Sequence, residues 1–177
     1  ITSDTNITSS GSVNNPIAGT RYTIASDFTG NWGVSGTITD IEIVVPSGRD
    51  WNGRLNISGT VNRLRVRGST VGSHSGGTIR LGIDINGGGP NPINDVIFDG
   101  IKLGSTDAAF EYNIVQSDVI SRFAVVNCQM RAARSSFIGE ATDCVWAGNS
   151  MIAGAYSSGQ VTSGVSGGAQ WGLRHGG

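Results

Sequence analysis

Two carboxylates held about 5 to 9.5 Å apart can hydrolyse a glycosidic bond, one as proton donor and the other as nucleophile or base. In this chain Glu111, in "AFEYNIV" (109 to 115), and Glu140, in "SFIGE" (136 to 140), sit in two successive segments of similar pattern, which makes them the weak candidates for such a pair. The plainer reading is a solvated ladder of alternating charge shared with Arg80 and Arg174. Asp95, Asp99 and Asp107 fall in loops or outward positions without clustering, and Lys102 is the only lysine. His74 lies in a glycine-serine loop and His175 near the C-terminus, where a surface role is simpler than that of a general base. Cys128 and Cys144 belong to no C-x-x-C pair and have no histidine nearby. No metal site is therefore expected, and core thiols are simpler than a disulfide, which the sequence leaves open. The glycines of "SGTITD" and "NGGGP" lack the strand-to-helix context of a phosphate cradle. Asn6 and Asn56 begin sequons that matter only if the source glycosylates secreted proteins.

The elements that carry these residues are legible as a repeat. In "RFAVVNCQMRA" (122 to 132) the alternation of apolar side chains slips by one at Asn127, which a straight strand tolerates badly. "LRVRGSTV" (64 to 71), "VIFDGIKL" (96 to 103) and "VWAGNSMI" (145 to 152) share the pattern, with Gly68, Gly100 and Asn149 at the slot of Asn127. Glycine and asparagine take a left-handed backbone most readily, so this slot predicts a corner between two short strands. "IEIVVPSG" (41 to 48) is an earlier relative with Val45 and Pro46 at the corner. The units start at 64, 96, 123 and 145, in steps of 32, 27 and 22 residues, the spacing of stacked windings with loops of uneven length.

A third strand per winding is predicted in "RLNIS", "TIRLGIDI", "AFEYNIV", "SFIGE" and "QWGLRH". Alternation puts Leu55, Ile57, Ile79, Leu81, Ile83, Phe110, Tyr112 and Ile114 inside. It leaves Arg54, Asn56, Arg80, Asp84, Glu111, Asn113, Glu140 and Arg174 as an outward polar stripe, the predicted glycan or partner surface. Trp146 is predicted outward on its own strand and joins that surface. Residues 1–33 are read as an N-terminal strand and cap, and 34–177 as the stack itself, in one domain overall.

The three-strand winding with a Gly/Asn corner resembles the single-stranded right-handed parallel β-helix of the pectate-lyase-like superfamily, which includes phage tailspikes and polysaccharide-active enzymes. The resemblance spans roughly residues 34 to 177 and implies an all-β fold of about five to six windings. It further implies a virion-surface or extracellular protein of structural or adhesive type, a homotrimer or larger virion assembly, with a polysaccharide as possible ligand. A polysaccharide lyase or glycoside hydrolase using the outward stripe is the rival, with Ca²⁺ as cofactor only in the lyase case; a bacterial surface adhesin fragment is the third reading.

Bulk composition agrees with such a protein. Basic and acidic residues number 12 and 13, so no large field argues for nucleic acid, and charged residues make up only 14% of the chain against roughly 25% in typical domains. Glycine reaches 28 of 177 residues, which suits many tight turns, and no apolar run approaches the roughly 20 residues of a membrane span. The chain opens at Ile1 instead of methionine, and "QWGLRHGG" reads as the start of another winding, so a longer protein is expected.

Overall fold

The computed structural model describes residues 1–70, 72, 75–86, 92–104, 112–116, 119–132, 135–138 and 141–153. Every regular element among them is a strand: β1 (Ser3–Ile7), β2 (Gly11–Asn14), β3 (Thr20–Ile24), β4 (Phe28–Thr29), β5 (Trp32–Val44), β6 (Asp50–Asn52), β7 (Leu55–Arg67), β8 (Thr78–Ile79) and β9 (Ile83–Asn86). These are followed by β10 (Ile93–Asp99), β11 (Lys102–Leu103), β12 (Tyr112–Gln116), β13 (Ile120–Val126), β14 (Gln129–Ala132), β15 (Ser135–Ile138), β16 (Ala141–Ala147) and β17 (Ser150–Ala153). Among the described residues no helix is long and apolar enough to cross a membrane.

All pairings among these strands are parallel, and they build one sheet of eleven strands and one of six. Parallel neighbours cannot be joined by a tight hairpin, so the chain must travel before it returns to the same sheet. It does so by visiting three columns in turn. The leading column holds β2, the first part of β5, the first part of β7, β9, β12 and β15. The central column holds β1, β3, the remainders of β5 and β7, β10, β13 and β16. The trailing column is the six-stranded sheet β4-β6-β8-β11-β14-β17. Residues 1–33 join these columns through β1 to β4, and the expected boundary near residue 33 falls inside β5.

In-register pairing stacks like on like. Ile41, Leu64, Val96 and Phe123 form one buried row, and Ile43, Val66, Phe98 and Val125 the next. Trp51, Ile79, Leu103 and Met130 close the core from the trailing column. Each such side chain contributes roughly 1.5 to 3 kcal/mol by leaving water. Phe98 and Phe123 meet edge to face at 5.7 Å, a favourable arrangement of ring quadrupoles.

The corner column lies where the slip at Asn127 requires it. Gly68, Gly100 and Asn127 stack, with Gly68 N–H donating to Asp99 O at 2.9 Å and Gly100 N–H to Val126 O at 3.0 Å. The fourth member is Gly148 instead of Asn149: Phe123 is opposite Cys144 and Val126 opposite Ala147, and Gly148 takes φ +64°. Cys144 and Trp146, not Val145 and Ala147, therefore carry the inward phase of β16. Trp146 is accordingly half-buried and packed on the core, whereas Val145 is exposed, which corrects the outward assignment of that tryptophan. Asn149, one step past the corner, accepts from Cys128 N–H at 2.8 Å and donates to Val125 O at 2.7 Å, tying its level to the one before.

A second column of turns was not foreseen. Within the central strands Asp40, Arg63, Asp95, Arg122 and Asp143 occupy equivalent places and all have positive φ. Each bulges its strand at the same level as its neighbours, one residue on each strand, so the ladder is interrupted between Thr39 and Ile41, Asn62 and Leu64, and so on along the stack while the register on either side is kept.

Candidate functional site

Of the predicted stripe, Arg54, Asn56 and Asp84 lie side by side on the leading column. Arg54 donates from Nε to Leu81 O at 3.1 Å and lies 3.6 Å from Asp84, both side chains about one-third exposed. Asn56 is in register with Asp84, and Asp84 with Val115 of β12, which pairs in turn with Ile138 of β15. Asn113 lies on β12. Arg80 does not belong here. Gly82, at φ +74°, follows the turn after β8, so "TIRLGIDI" is two strands in different columns, and Arg80 instead pairs through both guanidinium arms with Asp50 of the trailing column. Glu111, Glu140 and Arg174 lie outside the described residues, as do Asp107, His74 and His175.

The outer face of the central column carries most of the charge. Glu42 accepts from Arg21 Nε and Arg67 Nε, each at 2.5 Å, and Arg65 donates to Asp99 at 2.7 Å. Beside this row runs the bulge column, in which Arg63 grips Asp40 and Arg122 grips Asp95 at 2.6 and 2.8 Å. Hydrogen bonds from the partner arginines hold the Asp40 and Asp95 carboxyls below their usual range. Burial alone would raise the carboxyl of Glu42, but bonds from Arg67 and Arg21 outweigh it and the net shift is downward. Carboxylates held this way stay ionised at neutral pH and make poor proton donors. Between the two rows runs a groove of about 650 Å³, lined by Asp40, Glu42, Arg63, Arg65, Asp95 and Ile97 among others.

Further along the same face the chemistry changes. The register row of Glu42 and Arg65 continues through Ile97, Ala124 and Val145, and that of Arg67 and Asp99 through Val126 and Ala147. Ile97 is 37% and Val145 53% exposed, so apolar side chains replace the ion pairs on this part of the face.

The trailing column presents a third face, with one polar row along its length. Asp50, Thr78, Lys102, Gln129 and Ser150 share one register row, and Asp27 stands beside Asp50, accepting its N–H at 3.0 Å. Thr29 and Asn52 face each other in the next row, with Arg80 one level beyond. Asp27, Phe28, Thr29, Asp50, Asn52 and Arg80 line a shallow concavity of about 320 Å³. The hydrogen bonds of Arg80 hold the Asp50 carboxyl below its usual range. The signal for this face was present as polar-apolar-polar triplets, "DFT", "DWN" and "TIR". Strands of two or three residues are too short for alternation to reveal.

Among the described residues no group of three His, Cys, Asp or Glu side chains is placed to hold a metal ion. Cys128 and Cys144 are free thiols; burial pushes Cys128 up to about 11, so it stays protonated and inert. The chain matches no family model, no curated protein and no solved structure. What the strands define by themselves is an all-β protein of parallel sheets.

Proposed function

We propose that the chain is a right-handed parallel β-helix of pectate-lyase-like type and a structural or adhesive module of a virion surface, built for rigid display and for contact with glycan or a neighbouring subunit. The observation that carries this reading is the unbroken register of the central column, from β1 to β16, with ion pairs spanning adjacent levels. Pairing of each described level with the next supports a stiff stack. The carboxylates of the central groove are held by arginines, which favours a binding or display role over acid-base catalysis. The apolar row Ile97, Ala124 and Val145 suits subunit contact in a homotrimer.

The purified chain is expected to appear as a short rod by small-angle scattering, to have the mass of a trimer by sedimentation, and to leave acidic and neutral polysaccharides intact. Depolymerisation lost in Glu111→Gln or Glu140→Gln would move the reading to a polysaccharide lyase or hydrolase. A monomer would favour the adhesin fragment.

A further inference from the structure

We propose that Asn52 is a self-modification site: the backbone nitrogen of Gly53 attacks the Asn52 side-chain amide, and water opens the resulting ring to leave aspartate or isoaspartate at that position. Asparagine is among the chemically fragile residues of any protein. The residue after it governs how fast it reacts, since a side chain there shields the attacking nitrogen. Two asparagines of the chain precede glycine, Asn52 and Asn86, and Gly87 lies outside the described residues. Asn52 closes the three-residue strand β6, its side chain is exposed, and the chain bends at Gly53. Neither the Asn52 side-chain amide nor the Gly53 N–H has a hydrogen-bond partner among the described residues. Other asparagines of the stack are tied down. Asn15 accepts from Thr37 N–H at 3.2 Å, Asn31 from Arg54 N–H at 2.9 Å, and Asn149 is held at both ends of its amide.

The fold makes this weak point unavoidable. A Cβ on Gly53 would collide with Gly30 O and with the Trp51 indole, so no shielding side chain can stand there. In the first step the bond from Gly53 N to Asn52 Cγ forms and the Cγ–Nδ2 bond breaks; the side-chain nitrogen leaves as ammonia with the proton that Gly53 gives up. Water then adds its hydroxyl to one ring carbonyl and its proton to the ring nitrogen. Opening at Cγ gives aspartate, and opening at the main-chain carbon gives isoaspartate, in which the chain runs through Cβ and Cγ. Either product adds a negative charge. Asn52 lies between Thr29 and the level of Arg80, so its new carboxylate competes with Asp50 for that guanidinium. Isoaspartate also disturbs the ladder. Asn52 O accepts from Gly30 N–H at 3.0 Å and Gly53 O from Leu81 N–H at 2.9 Å, and a chain lengthened by one carbon between them cannot keep both bonds in place.

The test is incubation of the folded whole chain in mildly alkaline buffer made with ¹⁸O water, followed by brief trypsin digestion in ordinary water, which releases residues 50–54 between Arg49 and Arg54. Heavy oxygen incorporated at Asn52 as a mixture of aspartate and isoaspartate, several-fold faster than at Asn31 or Asn149, is the expected result. An Asn52 that stays unlabelled when folded, whether or not the chain becomes labelled in urea, overturns the proposal, because the fold then protects the site. Labelling at Asn31 and Asn149 as fast as at Asn52 overturns the role given to the unbonded amide. The aged, more acidic fraction is expected to melt below Asn52→Asp, which carries the charge without the lengthened backbone; equal melting overturns the effect assigned to isoaspartate.

Discussion

On one side of the central column the chain turns through Gly68, Gly100, Asn127 and Gly148; on the other it passes through Asp40, Arg63, Asp95, Arg122 and Asp143, every one of these five at φ between +51° and +63°. Gly100, Asn127 and Gly148 share that left-handed conformation, at +71°, +53° and +64°. The residue types differ because the surroundings do. At the corner, backbone meets backbone: a Cβ on Gly68 would stand 2.8 Å from the Cα of Gly76, and one on Gly76 only 2.3 Å from Gly100 O. The bulge column opens to solvent, so a long side chain meets no wall and only the backbone preference opposes it. Alternating charge then ties each level to the next. Crowding, more than φ, decides where glycine is obligatory in this fold.

If so, Gly76→Ala should be the most damaging small change at this corner, since the intruding methyl meets carbonyl oxygen and not a side chain that can swing aside. A loss of roughly 3 kcal/mol or more is expected in urea denaturation; a loss under about 1 kcal/mol would show that the corner has slack.

Glu42→Gln should rank second. It leaves Arg67, whose side chain is only 13% exposed, without its carboxylate, at a cost of roughly 1 to 3 kcal/mol after allowing for partial solvent screening. The same pair sets the acid response. Asp40, Glu42, Asp50 and Asp95 have folded-state pKa values below those of the unfolded chain. Their contribution is complete above the ordinary carboxylate range, about pH 4, and is lost as pH falls through the lowered values. Stability measured from pH 6 down to pH 2 should therefore fall, and should fall less steeply in Glu42→Gln.

The smallest effect belongs to the bulge column. Asp95→Arg sets like charges beside Arg63 and Arg122 and should lower the melting temperature by a few degrees. Adding Arg122→Asp restores an opposite pair and should recover part of the loss, more at low salt than at high. Equal loss in single and double variants would mean that the side chains at these bulges are indifferent to one another.

Much of the scaffold was readable from the chain because stacked parallel strands leave a strong trace. The phase slip at Asn127 is real: Phe123, Val125, Cys128 and Met130 are all buried on either side of it. The register of "VWAGNSMI" was misjudged by one because Val145 and Ala147 look more apolar than they are buried; the half-buried Cys144 and Trp146 hold the inward phase. The bulges were invisible for a different reason. Arg is a poor marker of a left-handed backbone and Asp, though more tolerant of it, is common elsewhere too, so only their position one above another in space reveals the column. Of the predicted surface, Arg54, Asn56 and Asp84 do come together, while Arg80 was lost to a turn at Gly82 that the apolar run of "TIRLGIDI" concealed.

The longest pairing among the described strands, β5 with β7, runs from Trp32 opposite Leu55 to Val44 opposite Arg67, interrupted at Asp40 and Arg63. Its partners are 23 residues apart, as are most hydrogen-bonded neighbours to within a short loop, so no local hairpin can start assembly. Nucleation therefore falls to this seam, after which each level can be templated by the last and growth can proceed in both directions. Slow nucleation followed by rapid zippering is the kinetic signature to expect, and protection from hydrogen exchange should be deepest at β5 and β7 and decline toward β1 and β16.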